Sequence, residues 1–524
     1  MYRFDLSNWS SESCDLLVIG GGATGLGVAL QAALEGRRVA LVEARDFASG
    51  TSSRSTKLVH GGVRYLAQGR IKLVSEALRE RATVLKLAPH LAQPLPFMVA
   101  ERSWLSWAVT GIGLKLYHWL AGRFSLGATE AVGGAAVRHV MPFLSGIVAG
   151  VRYWDGQFDD ARLALALARS AEAAGARLRN HTRVTGLARD AQGWQLTLQD
   201  AFSGQQAVLQ ARCVVNATGV WVDALRQLAL GGADRPVAPL VRPSQGVHLV
   251  VAREKLPINE AVLVPHTSDG RVLFALPWLG ATVIGTTDTP REDVPLEPRP
   301  TAAELDFLIL ETRRALGVSL EPGDVKSVWV GLRPLVGAGE EGSTAALSRE
   351  HLIVREAPGF LTVTGGKWTT YRAMAEAVMT ALVQAGDVGP AGRPAQTDVH
   401  RLFGSTGVGA KAVSLREAPG PHLLGTQAGE LAALPGCDVA LGLGLTEAIV
   451  RYSARQEWAV TVEDMLARRW RVLFLDAGLA ESMAPRVAAI LQQETGIDPE
   501  LAAFLDLCRR YRIDATETVA QGNP

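Results

Sequence analysis

Three features of this 524-residue sequence predict an α/β fold followed by an all-helical C-terminal domain. Near the N-terminus, residues 15–43 have the pattern of a strand, a glycine turn, a helix and a second strand, as in a nucleotide-binding βαβ unit. In the middle of the chain, short apolar runs alternate with helical periodicity, which predicts a mixed domain with substantial sheet. After a segment rich in Gly and Pro at about 386–422, the patterns are almost wholly helical.

The predicted elements follow one another in a consistent order. The βαβ unit consists of a strand at 15–19, a helix to about Glu35 and a strand at 38–42. Further helices are predicted at 70–87, 159–174, 301–316, 446–475 and 481–510, and Asp159 or Asp160 is the expected N-cap of the second. Further strands are predicted at 193–199, 213–215, 247–251, 261–264, 272–276, 281–285 and 360–364.

Composition narrows the function classes. The chain is long enough for two or three domains, and its 20% charged residues fit an ordinary folded protein. A net charge of +1 gives no basis for nucleic-acid binding, so any anion site must be local. The cysteines have neither CxxC nor zinc-site spacing, which predicts buried reduced thiols and no metal site; they are Cys14, Cys213, Cys437 and Cys508. The first ten residues lack an apolar signal core, so we expect a cytoplasmic protein.

The glycine turn of the βαβ unit has the chemistry of a dinucleotide site. Gly20 permits a tight turn, Gly22 allows the backbone to approach a pyrophosphate at the helix N-terminus, and Gly25 allows close packing of helix on sheet. Glu43 follows about 20 residues later, at the spacing of an acid that binds a ribose hydroxyl. The turn therefore predicts dinucleotide binding.

Two later segments favour FAD over NAD as the dinucleotide. Residues 212–219 (RCVVNATG) form a strand and a small-residue turn that resembles the ATG motif of FAD-dependent oxidoreductases. Residues 361–371 (LTVTGGKWTTY) place a Gly-Gly turn before a helix. The dipole of that helix would favour negative charge on a reduced flavin ring.

A polar segment between the dinucleotide unit and the next helix has the residue types of a reaction site. Residues 51–66 (TSSRSTKLVHGGVRYL) place cations, an imidazole and a phenol around Gly61 and Gly62. Such a loop beside a dinucleotide predicts a site that binds an anion and transfers protons or hydride.

In order along the chain, SSRSTKLVHGGVRYL, VSEALRER, DDARL, VNATG, IGTTDTP, GLRPL and GGKWTTYR resemble FAD-dependent glycerol-3-phosphate dehydrogenases. The resemblance spans about 13–510 and implies an FAD-binding Rossmann-like domain interleaved with an α+β substrate (sheet) domain. It implies an FAD-dependent region at 13–395, a linker at 396–424 and a helical domain at 425–524. The FAD-binding part is expected at about 13–90, 150–235 and 330–385, and the substrate-binding part at about 91–149 and 236–329.

The resemblance also implies roles for individual residues. The expected substrate-binding residues are Arg64, Tyr65, Arg333 and Lys367. The candidate catalytic residues are His60, His248 and Arg333. The expected FAD contacts are Gly20, Gly22, Ala23, Thr24, Gly25, Glu43, Ala44, Thr51, Ser52, Ser53, Val184, Ala217, Thr218, Gly219, Gly366, Lys367 and Thr369. Arg54 and Trp368 depart from the family pattern.

The implied reaction is oxidation of sn-glycerol 3-phosphate to dihydroxyacetone phosphate by hydride transfer from C2 to flavin N5. His60 or His248 is the expected base, and Arg333 is the alternative group for stabilising a developing alkoxide. Quinone is the expected electron acceptor, with oxygen as the alternative. Two other classes stay open: an FAD-dependent amine or amino-acid oxidase and a flavoprotein without turnover.

Residues 102–124 form the least conventional helix of the sequence. Lys115 and His118 interrupt its apolar run, which argues against a membrane span. Its aromatic residues and flanking arginines instead fit a helix in a bilayer interface; the aromatic residues are Trp104, Trp107, Tyr117 and Trp119. The alternatives are a buried packing helix or a subunit contact in a homodimer. A peripheral protein on the inner face of the cytoplasmic membrane is expected.

Overall fold

A computed structural model describes residues 6, 9, 13–231, 236–337, 351–407 and 412–513; the side chains of Arg64 and Ala67 lie outside this description. In chain order, the strands are β1 (Cys14–Ile19), β2 (Val39–Val42), β3 (Leu58–Val59), β4 (Ala92–Glu101), β5 (Glu130–Gly133), β6 (Ala149–Phe158), β7 (Arg177–Arg179), β8 (Thr182–Asp190), β9 (Gly193–Asp200), β10 (Gln206–Asn216), β11 (Val241–Ala252), β12 (Ala261–Val264), β13 (Leu273–Trp278), β14 (Ala281–Gly285), β15 (Thr289–Pro290), β16 (Val325–Val336), β17 (His351–Ala357), β18 (Phe360–Gly365), β19 (Ala440–Gly442) and β20 (Leu445–Thr446).

The α-helices are α1 (Ala23–Leu34), α2 (Val63–Ala67), α3 (Ile71–Leu87), α4 (Trp104–Ala121), α5 (Gly134–Val140), α6 (Asp160–Ala173), α7 (Val222–Leu230), α8 (Ala302–Leu316), α9 (Tyr371–Gln384), α10 (Glu447–Gln456), α11 (Val472–Leu475), α12 (Ala477–Thr495) and α13 (Leu501–Arg510). Side-chain caps fix several helix starts. Asp159 caps α6 by accepting from Arg162 N, and Thr301 begins α8 in a capping box with Glu304.

The smaller of the two main sheets carries the dinucleotide unit. Its order is β17-β18-β10-β1-β2-β7, and β8 and β9 extend from β10 as an antiparallel pair. Strands β18, β10, β1, β2 and β7 run parallel, so their carboxyl ends meet at one edge. Ligands of open parallel sheets bind outside that edge.

The larger sheet carries the second half of the site. Its order is β15-β11-β14-β13-β12-β4-β6-β3, with β16 paired to β11 and β5 paired to β6. All its pairs are antiparallel except β12 with β4. The long pair of β11 and β16 sets His248 opposite Trp329 and Ser244 opposite Arg333. The sheet therefore holds two sequence-distant candidate residues in fixed register.

The helical C-terminal segment is packed into the body of the protein. Side chains of α10 to α13 belong to the same buried hydrophobic cluster as α1, α6 and α9. A second apolar cluster joins α5 and α8 to the larger sheet, and a third lies beneath β8 to β10. The division into three domains at the bounds expected above stays a prediction.

Most of the sequence-based elements are confirmed within a few residues, and three are corrected. Residues 446–475 are not one helix, because irregular backbone at 457–461, with Trp458 at φ of +56°, separates α10 from a π-helical turn at Asp464–Arg469. Residues 481–510 are not one helix either, because α12 ends at Thr495, Gly496 has a left-handed backbone and α13 begins only at Leu501. Cys437 is exposed, so the expectation of a buried thiol is wrong there; the other three are buried.

Helix α4 has one face toward solvent and one toward the protein. Trp104, Leu105 and Trp119 are 65%, 77% and 80% exposed, whereas Tyr117 is buried. Trp107 is half-buried and its indole N–H donates to the carbonyl of Gly150 at 3.1 Å. The aromatic residues of this helix therefore divide into an outward and an inward set. Within the described ranges, no helix is long and apolar enough to cross a membrane.

Candidate functional site

A cavity of about 830 Å³ lies where the two main sheets meet. The glycine turn of the smaller sheet lines one part, and residues of β11, β16 and the 60–65 segment line another. The cavity is large enough for an extended organic cofactor together with a small substrate. Sequence-distant candidates are thus brought into a single space.

The turn after β1 is built for close backbone approach. Gly20 has φ of +112°, and a Cβ there would come within 2.5 Å of the Ala217 carbonyl oxygen. Gly22 is the N-cap of α1 and provides no side-chain cap. The dipole of α1 therefore points at the cavity wall with its N-terminus available to a phosphate. Gly25 does not line the cavity; a Cβ there would collide with the Gly20 carbonyl at 1.9 Å, so it serves helix–sheet packing.

Glu43 closes the βαβ unit at the cavity wall. Its carboxylate accepts hydrogen bonds from the backbone N–H groups of Gly21 at 2.7 Å and Arg45 at 2.9 Å. Burial raises its pKa, although these two hydrogen bonds act in the opposite direction. Each oxygen keeps a second lone pair, so the carboxylate can also accept from a ribose hydroxyl.

Residues 51–53 form a 3-10 turn beside the glycine turn. Ser52 Oγ accepts from Ala23 N at 2.9 Å, and its carbonyl accepts from the indole N–H of Trp368 at 2.8 Å. Trp368, which departs from the family pattern, thus ties the two cofactor loops together. Thr51 and Ser52 line the cavity, whereas Ser53 is buried behind it.

Two further turns complete this end of the cavity. Asn216 Oδ1 accepts from the backbone and hydroxyl of Thr218 at 3.3 and 2.8 Å, which fixes the turn after β10. Gly365 and Gly366 have φ of +75° and +71°, in the left-handed region where only glycine is unstrained. A short 3-10 turn, Trp368–Thr370, then leads into α9. Val184, Ala44 and Gly219 also line the cavity.

His60 lies on the cavity wall and is fixed through its backbone. Its N–H donates to Thr369 Oγ1 at 3.3 Å, and its carbonyl accepts from the same hydroxyl at 3.4 Å. The next residue, Gly61, donates its N–H to the Tyr117 hydroxyl at 2.9 Å. That phenol donates to Asp155 Oδ2 at 2.7 Å, and Asp155 is paired with buried Arg81 at 2.9 Å.

His248 is a buried imidazole in an apolar and cationic setting. It stacks on Trp329 with ring centroids 4.0 Å apart, and its Nε2 lies 3.0 Å from Thr56 Oγ1. Burial, and then the charges of Lys57 and Arg333, lower its pKa well below the ordinary value. His248 is therefore a neutral ring over the whole physiological pH range.

Arg333 reaches the cavity from β16 with its guanidinium held on several sides. It donates to Asp288 Oδ1 at 3.2 Å, Thr286 Oγ1 at 3.0 Å and the Thr287 carbonyl at 3.1 Å. These contacts fix the orientation of the planar fork before any ligand binds. Nη1 also donates to the Gln245 carbonyl at 3.3 Å, so an anion would interact with the charge of Arg333 or displace one of these partners.

Lys367 follows the Gly365–Gly366 turn at the end of β18. Its Nζ is 3.8 Å from the ring centroid of Tyr65, and both residues line the cavity. The ammonium group is therefore directed by a cation–π contact as well as by the glycine turn before it. The side chain of Arg64, the third expected cation, lies outside the described residues.

The structure adds residues that sequence reasoning did not select. His266 and Arg271 line the cavity from the loop between β12 and β13. Arg54, which departs from the family pattern, is buried and its Nη1 donates to Glu297 Oε2 at 3.0 Å. Its pairing partner is distant in sequence and carries no motif, so nothing in the sequence could have identified it.

These features fit FAD. The N-terminus of α1, where Gly22 provides no side-chain cap of its own, the glycines whose Cβ atoms would collide with neighbouring atoms, and the carboxylate of Glu43 are the donor and acceptor set that a dinucleotide requires. Gly366 and Lys367 line the same cavity as His60 and Arg333. A flavin ring bound there would lie among the candidate catalytic groups.

Comparison with known proteins agrees with this architecture. A family model described as "FAD dependent oxidoreductase" matches residues 15–378. A second, described as "C-terminal domain of alpha-glycerophosphate oxidase", matches residues 396–502. The two matches together cover the cavity-lining residues and the C-terminal helices through α12.

Individual relatives are similar over most of the chain. The mitochondrial glycerol-3-phosphate dehydrogenase SDP6 of Arabidopsis thaliana is 38% identical, over 93% of this chain and 83% of that protein. The human mitochondrial glycerol-3-phosphate dehydrogenase is also 38% identical, over 93% of this chain and 71% of that protein. Among solved structures, glycerol-3-phosphate dehydrogenase from Bacillus halodurans complexed with FAD aligns with a TM-score of 0.76 at 28% identity, covering 99% and 98% of the two chains.

The predicted family, fold class and cofactor are thereby confirmed. The individual site residues rest on their placement in the cavity and stay predictions. The protein belongs to the FAD-dependent glycerol-3-phosphate dehydrogenases.

Proposed function

We propose that this protein oxidises sn-glycerol 3-phosphate to dihydroxyacetone phosphate and passes the electrons to a membrane quinone. The observation that carries the proposal is the single cavity, in which a dinucleotide turn and a cationic, imidazole-bearing wall meet. The bound flavin supplies the acceptor, at N5, for the hydride that leaves C2. The chain's own residues bind the substrate, orient C2 and move the hydroxyl proton.

Arg333 and Lys367, which both line the cavity, are the proposed phosphate-binding residues. A phosphomonoester carries nearly two negative charges, and Asp288 already neutralises part of the charge on Arg333. A second cation is therefore needed, and Lys367 is placed to supply it. Arg64 is the proposed third, on the strength of the sequence alone. Tyr65 holds the Lys367 ammonium by its ring and can contact substrate through its hydroxyl.

His60 is the proposed base for the C2 hydroxyl. His248 shares the cavity wall, but burial and its cationic neighbours make a proton on its ring costly. A neutral imidazole in that position serves better as a hydrogen-bonding group that orients substrate. Arg333 stays protonated and is the proposed group for stabilising a developing alkoxide.

Helix α4 is the proposed contact with the membrane that holds the quinone. Its outward face joins Trp104, Leu105, Val109, Ile112 and Trp119, all more than half exposed. Exposed Arg102 and Arg123 flank this face and could pair with anionic headgroups. A peripheral position on the cytoplasmic side of the inner membrane follows from this proposal, and a homodimer contact at the same face is the alternative.

The second candidate is an oxidase that passes electrons to oxygen. It is favoured by the match of residues 396–502 to a domain described from alpha-glycerophosphate oxidase. An amine or amino-acid oxidase is less well supported. Such an enzyme needs one cation for a carboxylate, whereas this cavity is lined by Arg333, Lys367 and Arg271.

Anaerobic flavin bleaching tests the substrate. The holoprotein is mixed with sn-glycerol 3-phosphate without oxygen, and flavin absorbance is followed; we expect it to fall at micromolar to millimolar substrate. Glycine and D-alanine serve as controls that should leave the flavin oxidised. Bleaching by the amino acids but not by glycerol 3-phosphate would overturn the proposal. The rates at which a soluble quinone analogue and oxygen reoxidise the reduced flavin are then compared. Faster reoxidation by the quinone analogue indicates a dehydrogenase, and faster reoxidation by oxygen indicates an oxidase.

A further inference from the structure

A buried layer of charge lies directly beneath the cofactor loop at 51–53. The Ser53 carbonyl accepts from two buried basic side chains, Lys57 Nζ at 2.8 Å and Arg471 Nη2 at 2.7 Å. Burial lowers the pKa of Lys57 to about 7, although the Asp160 carboxylate acts in the opposite direction. Lys57 and Arg471 are both fully buried. Their counter-ions are Asp159 and Asp160 at the start of α6, which are fully buried as well.

Arg471 comes from the helical C-terminal segment rather than from the dinucleotide region. Its backbone has φ of +60° at the start of α11, which is an uncommon conformation for a residue with a side chain. The guanidinium lies over the Phe474 ring at 4.0 Å, and Nη1 donates to the Ala467 carbonyl at 2.7 Å. One end of the fork is thus held by its own segment while the other reaches Ser53.

Asp160 connects the same layer to the rest of the loop. Its Oδ2 accepts from Lys57 Nζ at 2.7 Å and from the Ser55 hydroxyl at 2.7 Å. Its Oδ1 lies 3.3 Å from Arg471 Nη2. Removing one member of a buried charge set leaves the others uncompensated, so the four groups act as a unit.

The other side of this loop faces the cavity. Ser52 Oγ accepts from Ala23 N in the first turn of α1, and Thr51 lines the cavity. A displacement of the Ser53 carbonyl would therefore move the hydroxyl that caps the phosphate-binding turn.

We propose that Arg471 is a positioning residue for FAD, through which the helical C-terminal segment fixes the cofactor loop at Ser53. In this proposal, the helical C-terminal segment helps the protein to retain FAD. This role is independent of which substrate reduces the flavin.

The test measures FAD release from the holoprotein without substrate. Arg471→Lys keeps the charge but loses the fork, and Arg471→Met loses both. Flavin fluorescence after dilution reports the release rate. We expect Arg471→Lys to raise the release rate several-fold and Arg471→Met to raise it at least tenfold, because a charge-assisted hydrogen bond to a loop carbonyl is lost. Added FAD should restore the flavin spectrum and activity of both variants.

Arg451→Lys and Arg451→Met are the matched controls. Arg451 is also a nearly buried arginine of the helical segment, but it pairs with Glu494 and Glu447 inside that segment. These variants should lower the unfolding temperature without altering FAD release. If the Arg471 variants release FAD at the wild-type rate, or if the Arg451 variants release it equally fast, the proposal is overturned. If Arg471→Met does not fold, the comparison of the two Lys variants decides.

Discussion

Oδ1 of Asp288 lies 3.2 Å from Nη1 of Arg333, on the wall of the cavity. The guanidinium also donates to Thr286 Oγ1 and to the Thr287 carbonyl. Three protein groups therefore fix the orientation of its plane. An arginine held in this way presents a defined fork to a ligand. Its energetic contribution should therefore depend on geometry as well as on charge.

Replacing Arg333 with Lys should separate these two contributions. The charge is kept and the bidentate geometry is lost, so we expect kcat/KM for glycerol 3-phosphate to fall about 100-fold, or about 3 kcal/mol. Steady-state kinetics on the FAD-loaded variant measure the loss. Arg291→Lys, in an arginine paired with Asp293 outside the cavity lining, should change kcat/KM less than twofold. A parallel loss of FAD from Arg333→Lys would mean that the residue is structural.

The two histidines should differ in their effect on the pH profile. His248 has a pKa well below the ordinary value, because burial and then Lys57 and Arg333 oppose its charge. His248→Gln should therefore lower kcat but keep the acidic limb of the profile. His60→Gln should remove that limb and lower kcat by about 10²- to 10⁴-fold. An acidic limb that disappears with His248 instead would reverse the assignment of the base.

Tyr117 is expected to position the loop that carries His60. Its hydroxyl bridges Gly61 N and Asp155, and its pKa is raised well above the ordinary range by burial and then by Asp155. The phenol thus stays protonated and keeps donating to the carboxylate. Tyr117→Phe should cost about 1–3 kcal/mol in urea unfolding and lower kcat about tenfold, since two buried groups lose a partner.

The matched control for this loop is Tyr452→Phe, in a buried tyrosine of α10. Tyr452→Phe should lower stability without changing kcat. If Tyr117→Phe also leaves kcat unchanged, the bridge stabilises the fold without positioning His60.

Short sequence patterns predict much of the site. The turn at Gly20, the acid at Glu43 and the glycine pair at Gly365–Gly366 are short-range features, in which residue type and backbone geometry are coupled directly. The order of helices and strands follows from apolar periodicity, and most of it was predicted. These parts are predictable because each depends on a few neighbouring residues.

Contacts between distant segments could not be predicted from the sequence. Arg54 pairs with Glu297, and Arg471 reaches Ser53 from the far end of the chain. Periodicity assigned residues 446–475 to one helix, but the buried ion pairs of Arg468 and Arg469 with Asp46 anchor a π-helical turn there. Such pairs depend on tertiary placement, for which no local propensity exists.

The outward face of α4 should bind lipid. Replacing Trp104 and Trp119 with Ser removes two large exposed rings, so flotation with vesicles of anionic phosphatidylglycerol should weaken at least tenfold. Leu310→Ser, at an exposed leucine on α8, is the control and should float like the unchanged protein. Unchanged flotation of the double variant, together with a change from dimer to monomer, would assign the face to a subunit contact.

The ion pair of His181 with Asp464 should make stability depend on pH. The two side chains lie 2.9 Å apart. Burial opposes the charged imidazole, but the Asp464 carboxylate outweighs it, so the pKa of His181 is raised above its ordinary 6.5. The pKa of Asp464 is held well below its ordinary value, since His181 and Arg468 outweigh the effect of burial. The carboxylate is therefore ionised throughout the neutral range.

The sign follows from proton binding in the two states. Above pH 6.5 the folded protein keeps a proton on His181 that the unfolded chain has released, so this contribution to stability falls as pH rises through the raised pKa. His181→Gln should therefore cost about 1–2 kcal/mol at pH 6 and much less at pH 9, measured by urea unfolding. In the Asp464→Asn variant, the cost of His181→Gln should not depend on pH, because the partner charge is absent. An equal cost at both pH values would show that the pair acts as a neutral hydrogen bond.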